Sequence, residues 1–394
     1  TPAKTLNGVF CTQPHSTPTG GMVAPSDAAI VSPAIWPSAQ ARSAPATPVG
    51  SPATKTSGAE LWKPVSCETV QPPPAEFQMR SQPTCRASSV EGVKPYIPNR
   101  AAVMMRNNRS DIIGVITDVV STTPYSTDII RGIQSAVEAH GFSILTVNTA
   151  GNPEQISRCW RELKGHRVDG VIYVTMFQRH LEPWELDPDM PTILVNCHAP
   201  AGSDTPTILP DEIAGMAQAV EAAVAAGHNS FGYVRLNSSV MAAGIREQAL
   251  KETLSHHGQP LRPDWCVKGA EGPVFKDQFT AFDTARDLLK NADRPSVLFC
   301  GNDQIALQVF SAACSLGLHV PSDLSIVGFD DFTVISEVIR PSLTTVALPY
   351  FEMGREAVSA LTQRLRGEDV NTHSWITCHF IRRNSLVPPA GLTG

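Results

Sequence analysis

Two short polar runs follow apolar, β-branched stretches in this chain: Gly301-Asn302-Asp303-Gln304 after Val297–Cys300, and Gly328-Phe329-Asp330-Asp331 after Leu324–Val327. The amide of Asn302 offers a hydroxyl both an acceptor and a donor, and the Asp330 carboxylate accepts. Short polar residues also cap a following helix, so each run has a local explanation beside the ligand-binding one. Arg246 lies early in a helical stretch, either at the surface or as a fork of donors for vicinal hydroxyls or a carboxylate. Asn196 ends the apolar run Pro191–Val195 and suits a turn or a ligand contact. Tyr125 and Tyr350 are core aromatics or platforms for a sugar face. No G-x-S-x-G, phosphate-binding glycine loop or H-E-x-x-H is present, and no sequence rule pairs the carboxylates for acid–base work. The residue set argues for binding rather than catalysis.

The nine cysteines are scattered, without a C-x-x-C pair, and read as reduced packing residues rather than a disulfide framework or a zinc site. No metal or cofactor is expected. A net charge of −6 disfavours a wholesale nucleic-acid coat but leaves room for a local basic element. No apolar run approaches the roughly 18 residues of a membrane span, and the first thirty residues lack the pattern of a secretory leader. The expectation is a soluble, cytoplasmic protein.

These residues need elements to position them, and the chain supplies them unevenly. Residues 1–93 hold 14 of the 33 prolines among Ser, Thr, Ala and Gln, with no helical or strand period, which predicts disorder, with a Pro-rich docking site as the alternative. From residue 111 a regular alternation begins. Strands are predicted at 111–117, 142–148, 168–175, 191–197, 230–236, 265–268, 297–300 and 324–329. Helices are predicted at 127–140, stopped by Gly141, and at 153–164, 213–226, 242–257, 278–291 and 304–316. Such alternation specifies an α/β fold with parallel sheets covered by helices on both faces. Its length, about 280 residues, favours two similar lobes with a ligand where the strand carboxyl ends face each other.

Between these segments lies Tyr96–Ser110 (YIPNRAAVMMRNNRS). Pro98 fixes an extended entry and Asn99 caps a short helix. Lys94, Arg100, Arg106 and Arg109 oppose Glu91 alone. This is either an amphipathic linker or a basic helix that lies on phosphates and wedges an apolar side chain between base steps.

Residues 94–389 resemble the lactose/galactose-repressor family of bacterial transcription regulators. The resemblance is carried by YIPNRAA (96–102), RSDIIGVI (109–116), RGIQSAVEAHGF (131–142), VDGVI (168–172), AAGHNSFGYV (225–234), GNDQIAL (301–307), GLHVPSDLSIVGFDD (317–331), RPSLTTV (340–346) and MGREAVSAL (353–361). Each is weak alone; their order and spacing are specific. The resemblance implies a periplasmic-binding-protein-like effector domain over 111–389, with two Rossmann-like lobes joined by three crossovers. It further implies a homodimer, a sugar-like effector between the lobes, and operator DNA as partner. The cleft residues would be Asp118, Tyr125, Asn196, Arg246, Asn302, Asp330 and Tyr350; Asn196 stands where the family often has Asp. A hinge helix within 94–110 would use Asn99, Arg100, Val103, Met105 and Arg106, with Met105 as the minor-groove wedge and Val103 where the family has Arg. Upstream, the family's helix-turn-helix has no counterpart in 50–93, where Pro64, Pro72, Pro73, Pro74 and Pro83 interrupt any helix. The alternative is therefore a metabolite-binding module that has lost DNA binding.

Overall fold

β-branched and aliphatic runs buried on both faces build the centre of each lobe, as parallel strands covered by helices require. The structure, a computed structural model, describes residues 109–124 and 126–389. The expectations for 1–93 and for the hinge residues Asn99, Arg100, Val103, Met105 and Arg106 lie outside the described residues, as does that for Tyr125. In the first lobe β1 (Ile112–Thr117), β2 (Ser143–Asn148), β3 (Gly170–Val174), β4 (Thr192–Val195), β5 (Thr207–Asp211) and β13 (His373–Thr377) form one parallel sheet in the order β13-β5-β4-β3-β1-β2. In the second, β6 (Phe231–Arg235), β7 (Cys266–Lys268), β10 (Val297–Cys300) and β11 (Ser325–Val327) form another in the order β11-β10-β6-β7.

The chain crosses between the lobes three times. Asp211 ends β5 and caps α3 (Glu212–Ala225), which packs against α4 (Met241–His256) of the second lobe. After β11 and β12 (Thr345–Ala347), α8 (Tyr350–Leu365) returns to the first lobe and packs on α1 (Thr127–His140). From β13 the chain passes through buried Cys378 into β14 (His379–Ile381), which pairs antiparallel with β12. Parallel sheets, two lobes and three crossovers agree with the fold expected from the sequence.

Four apolar clusters fill the two faces of each sheet, with Ile113, Ile133, Ile193 and Val358 in one, and Leu250, Phe299, Phe329 and Tyr233 in another. α1 and α8 approach at paired glycines. A Cβ on Gly132 would stand 2.0 Å from the Phe351 carbonyl oxygen, and one on Gly354 2.1 Å from that of Ile129. Gly141 ends α1 in the left-handed region at φ 75°, as its position in the sequence predicts.

The structure corrects several boundaries. The helix expected from Gln278 starts at Ala281 as α5 (Ala281–Leu289), because Gln278–Phe279 form β9, antiparallel to β8 (Ala270–Glu271). Pro153–Gln155 is a 3-10 turn capped by Asn152, ahead of α2 (Ile156–Gly165). The remaining helices are α6 (Asp303–Ser315) and the single turn α7 (Thr333–Ser336). Six strands went unrecognised. β5 contains Pro210, a residue that argues against a strand interior; β8, β9, β12 and β14 are only two or three residues long, too short to show a period. β13, five residues beside β5, and the long helix α8 were also not assigned.

Candidate functional site

The carboxyl ends of the strands of both sheets open onto one cavity of about 690 Å³. Open α/β sheets place ligands at such strand ends because the following loops are free to vary while the strands stay fixed. Residues after β1, β3, β4 and β5 form one wall; those after β6, β10, β11 and β12, with the β8–β9 hairpin, form the other. A shallower, more open hollow of about 390 Å³ at Glu337, Arg340 and Arg383 lies away from the strand ends.

Arg246, on α4, is only 4% exposed. Its Nε donates to Glu212 Oε2 at 2.5 Å and its Nη1 to the Gly301 carbonyl at 2.6 Å, while Nη1 also stands 2.9 Å from Asp330 Oδ1. The guanidinium lies 3.8 Å over the Phe329 ring. Burial would discharge it, but Glu212 and Asp330 hold its pKa above the ordinary arginine range. Burial pushes the Asp330 carboxyl up to about 6, against the pull of Arg246 and with the added repulsion of Glu212. Asp330 also sits at φ 106°, and Asn196, Phe275 and Asp331 share the positive-φ region. Thus four of the seven described non-glycine residues with positive φ line this cavity. Such strain clusters where surrounding structure over-determines a functional surface.

Asn196 is buried after β4, and both its amide hydrogens are engaged by the carbonyls of Thr175 and Met176, at 3.0 and 2.9 Å. It therefore offers the cavity an acceptor, Oδ1. Asn302 caps α6 through Oδ1, which accepts from Ile305 N–H at 2.9 Å, so its Nδ2 is the atom left for a ligand. The local and ligand-binding explanations of this residue are thus compatible. Tyr350, at the start of α8, lines the cavity half-buried, and burial followed by the charge of Asp330 raises its hydroxyl pKa.

Asp118 is placed differently from the sequence expectation of a cleft-facing group. It is absent from the cavity wall, and its carboxylate accepts from the backbone N–H of Val119, Val120 and Met176. Burial raises its pKa while these three donors oppose the shift. Its geometry is that of a positioning residue: it ties the end of β1 to the end of β3 and sets Met176, Phe177 and Gln178 on the wall.

Sequence reasoning missed five contributors. Glu212, 3% exposed, bridges Arg246 and Gln178, whose Nε2 donates to Oε1 at 2.6 Å. Gln178 Oε1 in turn stands 3.3 Å from His198 Nε2. Ser126, at the N-cap of α1, has a fully buried hydroxyl with no hydrogen-bond partner. Phe275, in the β8–β9 hairpin, stacks tilted on Phe177 with ring centroids 5.4 Å apart, joining the two walls. The available signal was positional: Glu212 stands just after a strand and opens a helix, as Asn302 and Asp303 do, and Ser126 precedes the first turn of α1.

Among the described residues no group of three or more His, Cys, Asp or Glu side chains could hold a metal, and no helix is long and apolar enough to cross a membrane. The arrangement can bind a polar molecule.

Comparison with known proteins agrees with this geometry. A family described as periplasmic binding protein-like domain matches residues 220–386. The sucrose operon repressor of Escherichia coli is 28% identical over 294 residues, 74% of this chain and 86% of that protein. The ribose operon repressor of Escherichia coli (strain K12) is 27% identical over 273 residues, 68% of this chain and 80% of its own length. These relatives are transcription repressors, not enzymes, in keeping with a site built for binding. The crystal structure of a LacI-family protein from Rhizobium etli is 39% identical, covers 71% of this chain and all of its own, and superposes with a TM-score of 0.67. On that identity and coverage, and on the two-lobed fold that carries the cavity, the chain belongs to the LacI family of transcription regulators.

Proposed function

We propose that this protein is a ligand-responsive DNA-binding repressor whose effector, a sugar or sugar derivative, binds in the cavity between the lobes. The observation that carries the reading is the polar floor where the two sheets meet. Arg246, Glu212, Asp330, Asn196 and Asn302 converge there beneath the Phe177–Phe275 pair. Sugars combine hydroxyls, which need such groups, with CH faces that pack on aromatic rings. The sucrose and ribose operon repressors among the relatives support the same class.

The mechanism is a population shift. An effector touching both walls binds one lobe arrangement better than the other and moves the equilibrium by that difference. The segment 99–105 reads the change in a cytoplasmic homodimer, with Arg100 and Arg106 on phosphates and Met105 as wedge. The cleft contacts are assigned to Tyr125, Asn196, Arg246, Asn302, Asp330 and Tyr350, with Asp118 fixing the loops. Residues 94–110 form the hinge and 111–389 the effector domain.

Thermal melts against a sugar panel test the first half. An effector at a hundred times its Kd stabilises by about 2.7 kcal/mol, raising Tm by about 5–10 °C. Fluorescence anisotropy with DNA from upstream of the gene, with and without that sugar, tests the second. A shift in DNA affinity of at least five-fold is expected, and sugar-independent binding would sink the repressor reading. A second reading, a metabolite-binding module without DNA binding, is favoured by the prolines at 64, 72, 73, 74 and 83. It predicts the melt without any DNA binding.

A further inference from the structure

The charges and hydrogen-bonding atoms on the cavity wall define which effectors fit. Two cations line it among the described residues. Arg246 already faces Glu212 at 2.5 Å and Asp330 at 2.9 Å. Arg131 is bonded to Asp128 at 2.6 Å. Five carboxylates line the same wall: Asp128, Glu212, Asp277, Asp330 and Asp331. Asp331 is balanced from behind by Arg383 at 2.7 Å. Asp277, in the β8–β9 hairpin, is held by the uncharged amide of Asn237 at 2.5 Å. Asp330 is the second anion on one guanidinium. Behind it, Asp303 is 1% exposed and accepts from the Thr345 hydroxyl and the Phe332 N–H, while burial and the charge of Asp330 hold its carboxyl well above the usual carboxylate range, so the charge balance rests on the lining residues alone. The wall therefore carries more negative than positive charge, with its cations already paired.

The hydrogen-bonding inventory points the same way. Asn196 offers only an acceptor, and Asp277 and Asp330 accept, while the unpartnered, buried Ser126 hydroxyl either donates or accepts. Asn302 Nδ2, Arg246 Nη2, the Tyr350 and Thr333 hydroxyls and the other guanidinium N–H groups of Arg131 are donors on the same lining. A ligand hydroxyl supplies one proton and two lone pairs and satisfies both kinds of group; a carboxylate or phosphate supplies acceptors alone. An anion placed here would set acceptor against acceptor in a partly dehydrated space, where like charges repel strongly.

We propose that the cleft takes an uncharged, polyhydroxylated sugar and discriminates against the carboxylated and phosphorylated forms of the same sugar. This rests on the sugar-effector reading above and narrows it to one charge class.

The test is calorimetric titration of the full chain with matched sets: each neutral hexose, pentose or disaccharide beside its uronic acid and its monophosphate. The best neutral sugar is expected to bind at least ten-fold more tightly than either anionic derivative. Raising salt from 0.05 to 0.5 M should narrow that gap, because screening weakens the repulsion. Asp277→Asn, which keeps an acceptor for Asn237, should shift the anion-to-neutral affinity ratio at least three-fold towards the anion. An anionic derivative binding as tightly as its neutral parent, or tighter, overturns the inference while leaving the sugar reading intact. Binding of a nucleobase or an amino acid, with no sugar binding in any charge state, overturns the sugar reading and this inference together.

Discussion

Glu212, the first residue of α3 after the chain leaves the first sheet, accepts a hydrogen bond from Arg246 of α4 at 2.5 Å, with both side chains about 95% buried. The pair sits where a crossover enters the second lobe, and through Gln178 it reaches the first lobe as well. It is thus both the floor of the cavity and a joint between lobes. Removing one partner of such a pair leaves an uncompensated buried charge, at about 3–5 kcal/mol. Arg246→Ala is therefore expected to lower unfolding free energy in urea by that amount. Glu212→Gln keeps an acceptor for the Nε–H and should lose less. A loss under 1 kcal/mol for Arg246→Ala would mean that water replaces the guanidinium.

Asp330 makes the second prediction, on pH. Its carboxyl is raised from 3.8 to about 6 by burial, so the folded protein holds a proton that the unfolded chain has released. Its contribution to stability is fully present below pH 4 and is lost as pH rises to about 6. At 1.4 kcal/mol per pH unit the ceiling is about 3 kcal/mol, and the third of the side chain open to the cavity reduces this to about 1–2. Asp330→Asn, which keeps an acceptor for Arg246 and tolerates φ 106°, should be more stable than the parent at pH 7 and equal to it at pH 4. A constant difference across that range would assign the effect to packing instead.

Much of this site was legible before the fold was known. Polar residues after apolar runs marked Asn302, Asp330 and Asn196, since a parallel strand must end in a loop and the loop side chains face the cleft. What failed to show was anything set by partners distant in sequence. Glu212 reads as one acid beginning a helix, and only the crossover brings it to Arg246, 34 residues on. Asp118 has the right strand-end position, yet three backbone donors turn its carboxylate away from the cavity. β5 was hidden by Pro210, whose missing N–H matters to no pattern rule that ignores which neighbour a strand faces.

The glycine contact between α1 and α8 sets the third expectation. Alanine normally stabilises a helix over glycine by about 1 kcal/mol. Here a methyl on Gly132 would meet a backbone carbonyl at 2.0 Å, and backbone cannot swing aside as a side chain can. Gly132→Ala should separate the helices and cost about 1–3 kcal/mol net, lowering Tm in calorimetry by about 2 °C or more. Gly244→Ala is the control: it lies in α4 with nothing near its Cβ, and should leave Tm unchanged or raised.

The aromatic contact across the cleft mouth yields the last. Phe275 reaches from the second-lobe hairpin to Phe177 of the first lobe, with a ring edge 3.1 Å from where a Gly151 Cβ would stand. Both rings line the cavity, so under the proposed function they would serve effector binding and closure together. Phe177→Ala should weaken effector binding about five- to ten-fold and leave unfolding free energy nearly intact, since the contact joins lobes rather than filling a core. Phe275 sits at φ 68°, so Phe275→Gly removes the ring and relieves the backbone at once, whereas Phe275→Ala keeps the strain. A double-mutant cycle of Phe177→Ala with Phe275→Gly isolates the ring–ring term, expected at about 0.5–1.5 kcal/mol. The decisive reading is where that coupling falls. Coupling in effector affinity and not in urea unfolding identifies the pair as a clasp on the closed cleft. Equal coupling in both measurements would make it an ordinary structural contact, and the closed arrangement would then owe nothing to these two rings.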